Sequence, residues 1–240
     1  MTMETMPRPE HPFPQFERKN WRSLNGTWDF GFDDENAGEK EKWYQEFKGD
    51  KKINVPFTYE TKLSGIQDET RHDFIWYHRT ISVDGEKLEN NRYILHFEGS
   101  DFITKVWVNG AYAGSHRGGY ARCSFDVTNL VHDGENELTV KVEDSFDTQQ
   151  PRGKQRWINE NFGCWYVQTT GIWKTVWSEY VPKISLASVK MTPDLQNAAL
   201  KLEYEVAAAE KDLDDDLMIT ATVSFRGTTV AKQCVLANQK

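Results

Sequence analysis

Cysteine is scarce. Cys123, Cys164 and Cys234 are the only three in 240 residues, widely spaced and with no Cys-x-x-Cys pair. An odd, scattered set argues against a disulfide framework or a thiolate zinc site and points to a reducing compartment. Long apolar runs are missing too: nothing approaches the roughly 18 apolar residues of a membrane-spanning helix. The opening MTMETMPRPEHPFPQF has no apolar signal-peptide core. The reading is therefore a cytoplasmic protein with no membrane partner. Positive charge is in deficit, with 37 Asp and Glu against 29 Lys and Arg and a net charge of −8. Nucleic-acid binding needs basic patches, so no nucleic-acid partner is expected. None of the six histidines falls at HxH or HxxxH spacing, which leaves a metal site without support. Apolar residues make up only 38% of the chain, but 9 Trp, 13 Phe and 9 Tyr supply large buried areas per residue.

What is there is β-pattern. Lys105-Val106-Trp107-Val108 runs into Asn109-Gly110, two residues that tolerate positive φ between β-formers and so predict a tight hairpin. Ala111 to Gly114 is its return strand, and Ser124 to Val127 is a further short one. Leu138, Val140 and Val142 alternate against Glu137, Thr139 and Lys141, the pattern of a half-buried strand. Upstream, Gly26 to Phe32 turns Trp28, Phe30 and Phe32 to one side, and Ile75 to Val83 alternates before a turn at Asp84-Gly85. Trp28, Trp107, Trp173 and Trp177 lie in such strands and are read as core. Four of the eight prolines fall at positions 7, 9, 12 and 14, so residues 1–19 read as an extended arm. After Pro182 aromatics thin out, and Ile184–Met191, Leu200–Val206, Leu217–Phe225 and Thr228–Leu236 read as four strands.

Val106-Trp107-Val108-Asn109-Gly110 followed by Gly134-Glu135-Asn136 resembles the N-terminal sugar-binding jelly roll of glycoside hydrolase family 2. Leu24-Asn25-Gly26-Thr27-Trp28, Val55-Pro56-Phe57 before Leu63-Ser64-Gly65-Ile66, and Thr170-Gly171-Ile172-Trp173-Lys174-Thr175-Val176-Trp177 agree, in the same order. The resemblance implies an all-β chain: a galactose-binding-like antiparallel jelly-roll sandwich over 20–182, then a truncated immunoglobulin-like domain over 183–240. It implies a parent enzyme that hydrolyses terminal β-linked sugars, β-galactosides first and β-glucuronides second. The remaining domains of that enzyme and a homo-oligomer are the implied protein partners, and Mg or Na ions the cofactors of the parent, with none in this chain.

The family's two catalytic glutamates sit on a TIM barrel, which needs about 250 residues by itself, so no catalytic residue is expected here. Glu143 and Asp144 are adjacent on a strand, point to opposite faces, and do not make a catalytic pair. The sugar-contacting candidates lie in the aperiodic stretch from Ser145 to Gly171 and at its root. Planar polar groups suit sugar hydroxyls and aromatic faces suit C–H patches, and Asp144, Asp147, Arg152, Lys154, Gln155 and Trp157 supply both. The resemblance places an aspartate at this strand end, best matched by Asp144 and next by Asp147, near a subsite or a bound cation. This loop is expected to be mobile without the barrel, and a second polar loop, Gly65 to Asp73, is read mainly as solvated charge. The alternatives are a free-standing carbohydrate-binding module and a purely structural support domain.

Overall fold

A computed structural model describes residues 6–147, 149–208 and 216–237. The chain divides into two units, 1–181 and 182–240. The first is built from β1 (Trp21–Ser23), β2 (Gly26–Phe32), β3 (Lys51–Val55), β4 (Phe74–Val83), β5 (Asn91–Phe97), β6 (Ser100–Asp101), β7 (Ile103–Val108), β8 (Ala111–Arg117), β9 (Cys123–Asp126), β10 (Gly134–Glu143), β11 (Gly171–Ile172) and β12 (Val176–Pro182). A six-stranded sheet runs β3-β2-β4-β10-β7-β8, a four-stranded sheet β1-β12-β5-β9, and β6 pairs with β11. The pairs of the six-stranded sheet, β1 with β12, β5 with β9 and β6 with β11 are antiparallel. This is the expected all-β sandwich.

Alternation decides the core. Trp28 and Phe30, Ile75 and Tyr77, Val106 and Val108, and Leu138, Val140 and Val142 face inward from the larger sheet. Tyr93, Leu95, Phe97, Phe125 and Val176 meet them from the smaller one. Asn109 and Gly110 both have positive φ, 51° and 75°, and close β7 onto β8 as the sequence requires. The turn read at Asp84-Gly85 is instead a short helix, α1 (Gly85–Asn90), with the Asp84 carboxylate capping the Lys87 N–H at 3.3 Å.

The outer face of the six-stranded sheet corrects the half-buried reading of β10. Thr139 and Lys141 are as buried as their inward neighbours, because the charged segment 33–49 folds back over them. Lys141 Nζ donates to Glu39 at 2.8 Å and also to Asn36, and Lys105 Nζ shares Glu39 at 2.8 Å. Asp33 Oδ2 accepts from Trp76 Nε1 at 2.9 Å and from Gly38 N at 3.0 Å. A Cβ at Gly38 would lie 2.7 Å from the Trp76 indole, so only glycine admits that approach.

Of the four tryptophans read as core, Trp28, Trp107 and Trp177 are buried, but not all in one core, and Trp173 is only half-buried, lying just past β11 rather than in a strand. Trp107 lies outside the central cluster, stacked 5.4 Å from Trp76 and 5.3 Å from Tyr44 under the same cover. Trp177 faces outward from β12, stacked 4.0 Å from His96. There the proline-rich arm covers it: His11 packs edge-on to Trp21 and Trp177, and Arg18 Nη1 reaches Glu179 at 2.7 Å. Trp107→Ala should cost about 3–5 kcal/mol, as for other buried tryptophans. Denaturant titration checks this, and a loss well below ~1 kcal/mol would mean the ring is in effect exposed.

The second unit holds β13 (Ser185–Asp194), β14 (Ala199–Ala207), β15 (Met218–Phe225) and β16 (Thr228–Leu236), paired as two antiparallel hairpins. The four strands match the sequence reading to within three residues at each end. The acidic run Asp212 to Asp215 lies outside the described residues. The three cysteines are unpaired, and among the described residues no helix is long and apolar enough to cross a membrane.

Candidate functional site

Both loops singled out by their polarity meet at one end of the sandwich, where β10 ends, β4 and β7 begin, and β6 pairs with β11. Antiparallel register brings these ends together: Glu143 lies opposite Phe74 and Ile103, and Ile103 opposite Arg117. The chain therefore returns to this end four times, through 57–73, 98–102, 117–122 and 144–171.

The stretch 145–171 is stitched to the sandwich by buried polar side chains. Asp144 Oδ1 accepts from Gln150 Nε2 at 2.5 Å and Arg152 Nη1 at 3.3 Å, and Oδ2 from Thr170 Oγ1 at 3.1 Å. Arg152 also donates to the Ser145 and Arg156 carbonyls. Gln155 spans the loop, its amide N–H reaching Asp101 Oδ2 at 2.8 Å and its oxygen accepting from Thr169 N at 2.8 Å. Arg156 and Gln168 tie the two loops together. They bond each other at 2.9 Å, and both donate to the Glu69 carbonyl. The expected mobile loop is thus described with a dense internal network, because its glutamines and arginines satisfy backbone carbonyls that would otherwise be buried unpaired.

Three carboxyls are buried in this network, and burial raises all three. Glu60 is pushed up to about 8, with Oε1 accepting from Thr170 N at 3.0 Å and Oε2 without a hydrogen bond. Asp101 is pushed up to about 7, by burial first and by the Asp144 charge second. Asp144 is raised by burial, with Arg152 and its hydrogen bonds opposing. Carboxyls moved toward neutrality by desolvation mark functional ends of proteins as often as structural ones. Here each has a structural partner.

Of the sequence candidates, the structure brings Asp144, Arg152 and Gln155 together and buries them, while Asp147, Lys154 and Trp157 face solvent. Trp157 leads an aromatic group, 5.0 Å from Phe162 and 5.2 Å from Trp165. The exposed Tyr120 sits edge-on to Trp173, whose Nε1 donates to the Gly119 carbonyl at 2.7 Å. Glu60, Asp101, Arg156 and Gln168 were missed. Arg156 lay inside the stretch already singled out, but no local signal distinguishes Glu60, in the loop after β3, or Asp101, at the end of β6, from the chain's other acids. Among the described residues no three His, Cys, Asp or Glu side chains converge as a metal site.

Residues 21–178 match the profile of the glycosyl hydrolases family 2 sugar binding domain, which covers the whole sandwich from β1 into β12. The chain belongs to glycoside hydrolase family 2. It is 25% identical over 208 residues to a β-galactosidase of Thermoanaerobacter pseudethanolicus, covering 85% of this chain and 25% of that protein. It is 30% identical over 133 residues to a β-glucuronidase of Paenibacillus borealis, covering 53% of this chain and 22% of that protein. The structure superposes on a β-glucuronidase from an uncultured Clostridium species with a TM-score of 0.69 at 22% identity, over 92% of this chain and 40% of that one. A Ruminococcus gnavus β-glucuronidase gives 0.71 at 18% identity, over 94% and 39%. These two likenesses establish the family 2 fold. The chain spans a quarter or less of these two curated relatives' length.

Proposed function

We propose that this chain is the non-catalytic carbohydrate-binding portion of a retaining β-glycosidase, and that the rim built by 57–73 and 144–171 faces substrate held on the enzyme's catalytic barrel. The observation that carries the reading is the locked pair of loops. Arg156 and Gln168 fix both to one carbonyl, Asp144, Arg152 and Gln155 hold the base, and Asp147, Lys154 and Trp157 are left outward as the contacting groups. Fixing a loop costs about 1–2 kcal/mol per residue, and a rigid rim lowers the ordering cost of binding. The buried candidates are then positioning residues, and the exposed ones meet sugar.

In the full enzyme, Trp157→Ala and Lys154→Ala should lower kcat/KM for an aryl β-galactoside, or failing that an aryl β-glucuronide, by roughly tenfold or more. The melting temperature should stay within a few degrees of the parent. Unchanged kinetics in both variants would reduce the rim to packing, which is the support-domain alternative. The 240-residue chain by itself should not turn over either aryl glycoside. Turnover by contamination-checked protein that disappears on substituting one of its own carboxylates would overturn the non-catalytic assignment.

A further inference from the structure

At the other end of β10, the outer face of the six-stranded sheet carries an open cleft of about 660 Å³. Glu137 and Asp144 lie seven residues apart on one extended segment, about 23 Å at the rise of a strand. The floor is a line of three side chains: His78 Nε2 meets Glu137 Oε2 at 2.7 Å, and Nδ1 faces Asp29 Oδ2 at 3.6 Å. One wall is aromatic. Trp43, Tyr44 and Phe47 all line the space, Tyr44 braced on Trp107 and Phe47 stacked 5.0 Å from His78. The Asn109-Gly110 turn also lines the space and packs against this wall, where a Cβ at Gly110 would come within 3.2 Å of Gln45 Cγ. Gln45 is exposed at the mouth, and the Thr139 hydroxyl belongs to the floor.

We propose that this cleft is a second saccharide-binding site, selective for uncharged sugar units. This rests on the sugar-binding reading above for its ligand class, and on the cleft for its place and selectivity. Aromatic rings beside a polar floor suit the C–H faces and hydroxyls of a pyranose. The carboxylates of Asp29 and Glu137 are acceptor-only groups that take hydroxyl hydrogens. The same two charges repel a carboxylate on the ligand. Lys52 pairs with Asp29, and the His78 ring lies between the two carboxylates. The aromatic wall is held from below by Trp76 and Trp107, so the cleft is formed before the ligand arrives.

The test is calorimetric titration of the 240-residue chain with β-1,4-linked galactotriose, cellotriose and mannotriose, and with a trisaccharide ending in glucuronic acid. At least one neutral trisaccharide should bind with a Kd near or below about 1 mM. The uronic-acid probe should bind roughly tenfold more weakly than that. Gln45→Ala and Trp43→Ala should each weaken neutral binding by roughly tenfold, while Trp157→Ala on the rim leaves it unchanged. Gln45 is exposed, so its variant keeps the fold if Trp43→Ala does not. Binding lost in Trp157→Ala but kept in Gln45→Ala would overturn the cleft and leave the rim reading standing. Equal or tighter binding of the uronic-acid probe overturns the selectivity. No binding of any probe overturns the second site, while the rim reading is judged separately by the kinetics of the full enzyme.

Discussion

Asp144→Ala should lower the unfolding free energy of the chain by about 3–5 kcal/mol, the cost of stranding one member of a buried ion pair. Arg152 lies 3.3 Å away, and the two side chains are 6% and 3% exposed. Arg152 keeps its bonds to the Ser145 and Arg156 carbonyls, but neither carries a compensating charge. Thr170 Oγ1 also loses its acceptor, and Gln150 Nε2 keeps only the Ser145 carbonyl. The family resemblance places Asp144 near a subsite or a bound cation; its burial makes destabilisation the first effect of removing it. Urea titration measures it, and Asp144→Leu combined with Arg152→Met should recover most of the loss, because apolar replacement of a buried pair is often neutral. A single-variant loss under ~1 kcal/mol would show the pair to be solvated.

Stability should fall as pH rises from about 5 to 8. Glu60 and Asp101 have folded values of about 8 and about 7, above their ordinary values of 4.5 and 3.8. Across the interval between those limits the folded chain binds more protons than the unfolded one, so the slope of stability against pH is negative. The contribution is complete below the ordinary carboxyl range and is lost as pH passes through 7 and then 8. Each group can contribute a slope of up to about 1.4 kcal/mol per pH unit. Groups with lowered values, such as Glu179 beside His96 and Arg18, act in the opposite sense at more acidic pH. Glu60→Gln keeps an oxygen for the Thr170 N–H and should flatten the upper part of the profile. A chain equally stable at pH 5.5 and 8, with Glu60→Gln no different from the parent, would show these carboxyls ionised in the fold.

The strands and the domain type were legible because they rest on local signals: a period of two, Asn109-Gly110, and short ordered motifs such as Thr170 to Trp177. Those signals placed β4, β7 and β10 within three residues where they were read, and placed Val140 and Trp28 in the core. Alternation says which residues share a face but not what covers that face. Lys141 and Trp107 looked like an exposed lysine and a core tryptophan; segment 33–49, remote in sequence, puts both in a second buried layer. The end where the two polar loops meet followed the same division. The polarity of 145–171 marks it as a loop, but whether each polar side chain turns inward or outward depends on which carbonyls and carboxyls the fold brings within reach. Composition and periodicity by themselves determined an antiparallel β-protein, and the resemblance of its ordered motifs to family 2 implied the sugar-binding domain. The tertiary structure decided that Asp144, Arg152 and Gln155 hold the rim while Asp147, Lys154 and Trp157 face outward. The reason is desolvation: a polar group is buried only where the fold supplies its partner, and while Arg152 comes from eight residues away, Gln155 meets Asp101 across 54 residues and Glu60 meets Thr170 across 110, separations that leave no trace in local sequence.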